Sequence, residues 1–103
     1  MNRFGLCGKM AAQPGRRDAL VSIMKEAFAQ VSKFPGCLLY LIFEDLDDKD
    51  CLWITEIWTS KEAHDASLKD SSILETISKA RPHLDFARMT QAKLNPLFGV
   101  GMP

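Results

Sequence analysis

Segments along this 103-residue chain follow a βαββαβ order, which predicts an α+β fold with an antiparallel sheet and its helices on one face. Two runs, Cys37 to Glu44 and Cys51 to Trp58, are apolar, β-branched and aromatic, the composition of pleated, buried strands. Between the first two strands, Leu20, Met24, Ala27, Phe28 and Val31 recur at helical spacing. Proline–glycine breaks at Pro14-Gly15 and Pro35-Gly36 separate these segments. The order is ferredoxin-like, and the length makes residues 1–103 one domain.

Taken in order, Arg3 to Ala12 reads as a first strand, followed by a helix from Arg16 whose other side carries Arg17, Lys25 and Gln30 as a solvated face. Phe34-Pro35-Gly36 ends that helix, because proline disfavours helix before it and glycine permits the turn. The acidic Asp45 to Asp50 connects strands two and three as a hairpin. Thr59 and Glu62 form a capping box that predicts a short helix to Leu68. After a break near Asp70-Ser71, a second box, Ser72 and Glu75, predicts a helix with Ile73, Leu74, Ile77, Ala80 and Leu84 on one face and Pro82 near its end. Phe86 to Leu94 reads as the last strand, and Asn95-Pro96 leads into an apolar tail without periodicity.

Composition narrows the function. Thirteen basic and thirteen acidic residues balance without a basic stripe, which argues against nucleic acid as a partner. The apolar runs are too short to cross a membrane, and no apolar signal region follows Met1, so a cytoplasmic protein is expected. Cys7, Cys37 and Cys51 are odd in number and lack Cys-x-x-Cys spacing; they read as reduced, buried small residues. Asp45, Asp47 and Glu56 fit positions one, three and twelve of a calcium loop, but Lys49 and Asp50 break it at positions five and six. A solvated acidic turn and no metal site are expected. Neither a phosphate-binding glycine loop nor a Gly-x-Ser-x-Gly elbow occurs.

The strands are apolar on both faces. In strand two, Cys37, Leu39, Leu41 and Phe43 point one way and Leu38, Tyr40 and Ile42 the other. In strand three, Trp53 and Ile57 oppose Leu52, Ile54 and Trp58. Two helices cover one face only, so a second copy is expected on the other, giving a homodimer. The tail, residues 95–103, is expected to pack on the partner subunit.

The junction from Glu56 to Leu68 brings a carboxylate, an indole and an imidazole close together. His64 is the candidate for proton transfer near neutral pH, against an ordinary capping-region histidine. Glu56 sits among buried side chains and needs a partner. Lys9 or Arg81 would supply a structural pair; alternatively Glu56 orients His64 or a ligand. Trp58, on the same strand face, suits an aromatic ligand or a core equally. Tyr40 is a candidate hydrogen-bond donor to a phenolic or quinone oxygen, and Arg81 a candidate for a developing oxyanion. His83, near a helix end, reads as structural.

Glu56, Trp58, Ser60 and Ala63 match an E-x-W-x-S-x-x-A signature. Together with Gly8-Lys9-Met10, Pro14-Gly15, Pro35-Gly36-Cys37, Lys79-Ala80-Arg81-Pro82 and Gly99-x-Gly101, they resemble the antibiotic biosynthesis monooxygenase family. That resemblance implies a dimeric α/β barrel and an oxidoreductase. It would use molecular oxygen without a cofactor on a small, electron-rich aromatic of the quinol or polyketide type. For that chemistry the residues themselves offer His64 and Glu56 as catalytic, and Trp58, Tyr40 and Arg81 as substrate contacts. The alternatives are a non-catalytic dimeric binder of haem or a small ligand, a stress-associated protein, and an isomerase of a small carbonyl compound. Haem-degrading members use an asparagine in strand one, a tryptophan and a histidine. Strand one here has no asparagine, and Ser67 and Ile77 stand at the other two positions. Many quinol-type members place a histidine where Ser67 lies, three residues beyond His64.

Overall fold

The computed structural model describes residues 3–103. Four strands, β1 (Phe4–Ala11), β2 (Cys37–Glu44), β3 (Cys51–Trp58) and β4 (Thr90–Leu94), form one antiparallel sheet in the order β2-β3-β1-β4. Helices α1 (Arg17–Val31), α2 (Lys61–Ser67) and α3 (Ser71–Ala80) complete the ferredoxin-like α+β fold. Cross-strand partners share a face. One face therefore carries Leu6, Met10, Ile54, Glu56, Tyr40 and Ile42. Leu20, Met24 and Ala27 of α1 and Ala80 and Leu84 pack against it. A second cluster, Val31, Trp58 and Ile73, closes the end near α2.

The opposite face is open. Leu41 (45% exposed), Phe43 (49%), Trp53 (37%) and Leu94 (50%) stand on it without cover from the described residues. The expected alternation holds except at Cys37. A β-bulge between Cys37 and Leu39 pairs Cys37 with Trp58, which turns its thiol toward the helices rather than toward the face of Leu39.

Several local expectations change. The first turn of α2 is capped by Ser60, whose hydroxyl accepts the Ala63 N–H at 3.1 Å, not by Thr59. Thr59 instead donates its N–H to the Gly36 carbonyl at 2.8 Å. Likewise Asp70, not Ser72, caps α3, accepting the N–H groups of Ser72 and Ile73. In both cases a good cap lies at the true boundary; the Glu-based box starts one residue before it at α2 and two residues past it at α3. On α3 the buried stripe is Ile73, Thr76 and Ala80, while Leu74 is exposed. Phe28 of α1 is also 49% exposed. Arg17 is not on a solvated face: it donates to the carbonyls of Asp45 and Asp48 and pairs with Glu44 at 3.1 Å, tying α1 to the hairpin. Phe86–Arg88 forms a 3-10 turn, so β4 starts only at Thr90. There the Arg88 guanidinium reaches back to pair with Asp48.

Gly36 shows why the turn before β2 needs glycine. Its φ is 93°, and a Cβ there would lie 2.7 Å from both the Ala63 Cβ and the Thr59 hydroxyl oxygen. Glycine and alanine thus let the β2 turn touch the start of α2. Gly36→Ala is expected to destabilise the fold by about 2–4 kcal/mol, from left-handed backbone strain and overpacking together. Urea denaturation would measure it, and a loss below about 1 kcal/mol would contradict this packing.

Candidate active site

β3 runs into α2 through two residues, and that junction fixes the site. Glu56 and Trp58 are two apart on β3 and face the helices together. The Trp58 indole N–H donates to Glu56 Oε1 at 3.0 Å. Trp58 is fully buried, with Phe34 and His64 at its edges, ring centroids 6.5 and 5.6 Å away. His64, on the first turns of α2, is also 5.4 Å from the Phe4 ring. Its Nδ1 lies 3.2 Å from Asp65 Oδ1, and Asp65 in turn pairs with Lys61 at 2.6 Å.

The expected partners of Glu56 are replaced by Trp58. Lys9 pairs with Trp53 and Thr90 and so belongs to the open face. Arg81 opens the 3-10 turn after α3 and is exposed. Tyr40 is the direct cross-strand neighbour of Glu56. Burial, reinforced by the nearby Glu56 charge, pushes the Tyr40 phenol well above its ordinary value, so it stays a neutral donor. Burial also raises the Glu56 carboxyl, while the Trp58 hydrogen bond and His64 oppose that rise.

Tyr40, Glu56, Trp58, His64 and Arg81 all line one cavity of about 400 Å³ between the sheet and helices α1 and α3. The five come from two adjacent strands, β2 and β3, the short helix α2 and the end of α3, and the fold brings them together. Its walls are otherwise mostly apolar, with Met10 and Ile54 from the sheet and Met24, Ala27 and Ile77 from the helices. This volume and lining suit a small, mostly apolar molecule held by a few polar groups. Three further polar residues, Ser67, Thr76 and Gln91, line the same space. Thr76 is buried and donates to Gln30 Oε1 at 2.9 Å. Thr76 lay hidden inside an apolar helical repeat, and Gln91 in a strand with no motif around it. Asp65 was the one legible omission, being the residue after His64. A smaller space of about 280 Å³, also lined by Glu56, Met10 and Gln91, adjoins along β1 and β4.

Asp45 and Asp48, by contrast, serve the hairpin. Asp45 accepts the N–H groups of Asp47 and Asp48 and the Trp53 indole at 2.8 Å. Asp48 accepts from Asp50 and from the Cys51 thiol at 3.1 Å. Among the described residues, no cluster of three His, Cys, Asp or Glu side chains is placed to share a metal ion.

Because its carboxyl is raised in the folded state, Glu56 contributes stability that is present below its ordinary value of 4.5 and lost as pH climbs through the folded value. Glu56→Gln keeps an acceptor for the indole but has no proton to lose. Its stability relative to the parent is therefore expected to improve as pH rises above 4.5 and to level off once Glu56 is ionised in the folded state, as read by urea denaturation at a series of pH values. A difference that stays flat or runs the other way would show that Glu56 is not held in a desolvated setting.

Comparison with known proteins fits this geometry. The model of the antibiotic biosynthesis monooxygenase family matches residues 4–79. A solved structure assigned as an antibiotic biosynthesis monooxygenase, from Chloroflexus aurantiacus J-10-fl, is 42% identical over 94% of this chain and 95% of its own, with a TM-score of 0.81. A conserved protein from Bacteroides thetaiotaomicron, described as a possible oxidoreductase, is 21% identical over 91% and 97% of the two chains, TM-score 0.81. SnoaB from Streptomyces nogalater, a cofactor-independent oxygenase, shares the fold at 12% identity over 99% and 100% of the chains, TM-score 0.84. No curated protein matches the chain. With 76 consecutive positions under the family model and the E-x-W junction at the cavity wall, the chain belongs to the antibiotic biosynthesis monooxygenase family.

Proposed function

We propose that this protein is a homodimeric, cofactor-independent monooxygenase acting on a small, electron-rich aromatic of the quinol or polyketide type. The observation that carries the reading is the convergence of a histidine, a buried carboxyl, a neutral phenol and an arginine on one apolar cavity beside Trp58. Family membership supports oxygenase chemistry, and the open apolar sheet face supports a second copy. Three free thiols suit a reducing, cytoplasmic setting.

The reaction needs no group beyond the substrate and oxygen. His64 takes a phenolic proton, and the electron-rich anion passes an electron to oxygen. The two radicals join as a ring carbon–oxygen bond, giving a peroxide that regains a proton. Loss of the proton on that carbon, with cleavage of the O–O bond, leaves a new carbonyl and releases water. One oxygen atom enters the product, the other becomes water, and the substrate supplies all the electrons. The Tyr40 hydroxyl and Arg81 would hold substrate and peroxide oxygens, Glu56 would orient the ring, and Trp58 would form the aromatic end wall. An enclosed apolar site keeps water from the anion and the peroxide.

The test is oxygen uptake with a panel of hydroquinones and hydroxylated polycyclic phenols, using labelled oxygen gas. Enzyme-dependent uptake with one labelled atom in the product is expected. Ligand binding, including of haem, without oxygen consumption would instead make the protein a carrier. Conversion under strictly anaerobic conditions would make it an isomerase.

A further inference from the structure

Position 8 of β1 is a glycine, and the smaller space beside the cavity is lined by it. Gly8 pairs with Ile54 of β3 on one side and with Gln91 of β4 on the other, so all three lie on the helix-side face of the sheet. A Cβ at Gly8 would lie 2.8 Å from the Thr90 carbonyl oxygen and 3.6 Å from the Gln91 Cβ. Glycine thus lets β4 close in on β1, and Gln91 stands beside the room that a side chain at position 8 would fill. Met10, Ile54, Glu56, Met89 and Gln91 wall both this space of about 280 Å³ and the cavity of about 400 Å³ that holds His64 and Trp58.

With five walls in common, the two spaces make one elongated site whose polar groups are spread along it. Trp58 and Ile54 are four residues apart on β3, about 13 Å, so the room over Gly8 begins well away from the indole and the imidazole. Glu56 lies between, its Oε1 on the indole N–H and its other oxygen without a donor among the described residues. At the far end Gln91 lines both spaces, and its amide makes no hydrogen bond among the described residues. An amide donates from nitrogen and accepts at oxygen, so it reads a hydroxyl or a carbonyl equally well. A single ring held at His64 leaves this end unused. A ring system that continues past Glu56 fills it.

We infer that the room over Gly8 is a second subsite of the cavity, and that Gln91 sets specificity there by hydrogen-bonding an oxygen carried beyond the reacting ring. The inference rests on the aromatic-substrate reading above and narrows it. The ligand is a fused two-ring phenol or hydroquinone with a further hydroxyl or carbonyl on the ring far from His64. Its flat apolar body passes between Met10, Ile54 and Met89, which suits thioether and aliphatic walls. Gln91 takes no part in proton transfer; it selects and orients. Gly8 contributes by having no side chain, since a larger residue would fill the subsite from the sheet side and press on the Thr90 carbonyl.

The test is titration calorimetry of the full chain under argon, which reads binding without turnover. The probes are hydroquinone, 1-naphthol and 1,5-dihydroxynaphthalene. The parent is expected to bind the naphthalenediol about three- to ten-fold more tightly than the naphthol, the range for one added hydrogen bond. Gln91→Leu, of similar length on an exposed strand position, should bring that ratio down to about two or less. Gln91→Phe, which fills the subsite, should weaken both naphthalene ligands about ten-fold more than it weakens hydroquinone. A ratio in Gln91→Leu equal to the parent's would overturn the inference. So would equal weakening of one-ring and two-ring ligands by Gln91→Phe, or no binding of any of the three probes. Selective binding without oxygen uptake in air would leave the subsite standing without the proposed reaction. Labelled-oxygen uptake beside an unchanged ratio in Gln91→Leu would leave the reaction standing without the subsite.

Discussion

His64→Ala is expected to lower turnover of a responsive quinol by about a hundred- to ten-thousand-fold, the range for removing a positioned acid–base group. The imidazole reaches the cavity beside Trp58, and Asp65 holds its Nδ1 at 3.2 Å, which leaves Nε2 to face a ligand. Little of the fold depends on it. α2 is capped by Ser60, and the neighbouring core is carried by Val31, Trp58 and Ile73. The variant should therefore keep its sedimentation behaviour and most of its stability while losing the reaction, and added imidazole should restore part of the rate. Unchanged turnover in a well-folded variant would remove His64 from the chemistry.

The largest effect on stability is expected from Trp58→Ala, a loss of about 3–5 kcal/mol for emptying a fully buried indole site. Beyond the cavity left among Val31, Phe34 and Ile73, the Glu56 carboxyl would lose its N–H donor in a desolvated place. A small domain holds only about 5–15 kcal/mol in total, so the variant should unfold in much less urea than the parent. Trp58→Phe, which keeps the ring but not the donor, should cost about 1–3 kcal/mol. Equal losses in the two variants would mean that the hydrogen bond, not the packing, dominates at this position.

Much of this architecture was readable in the chain because its signals are periodic. Strands β2 and β3 were found to the residue, and the helical repeat through Leu20, Met24, Ala27 and Val31 marks the buried side of α1. What escaped is set by contacts distant in sequence. The bulge that turns Cys37 inward depends on its pairing with Trp58, and the 3-10 turn at Phe86 on Arg88 reaching Asp48. Caps were misplaced by one or two residues, because Ser, Thr and Asp crowd both helix starts and several could serve. The candidate site followed the same division. Glu56, Trp58 and His64 were visible as one junction. That Tyr40 and Arg81 share their cavity, and that Thr76 and Gln91 join them, required the folded chain.

The two tryptophans sit in opposite surroundings, Trp58 sealed inside and Trp53 on the open face with its indole N–H on Asp45. Each therefore reports a different event by its own emission. A molecule entering the interior would quench the first without touching the second, whereas face-to-face association of subunits would shift the second toward the blue. With Trp53→Phe or Trp58→Phe as the single-emitter background, occupancy and assembly become separately readable by fluorescence, with no dye attached.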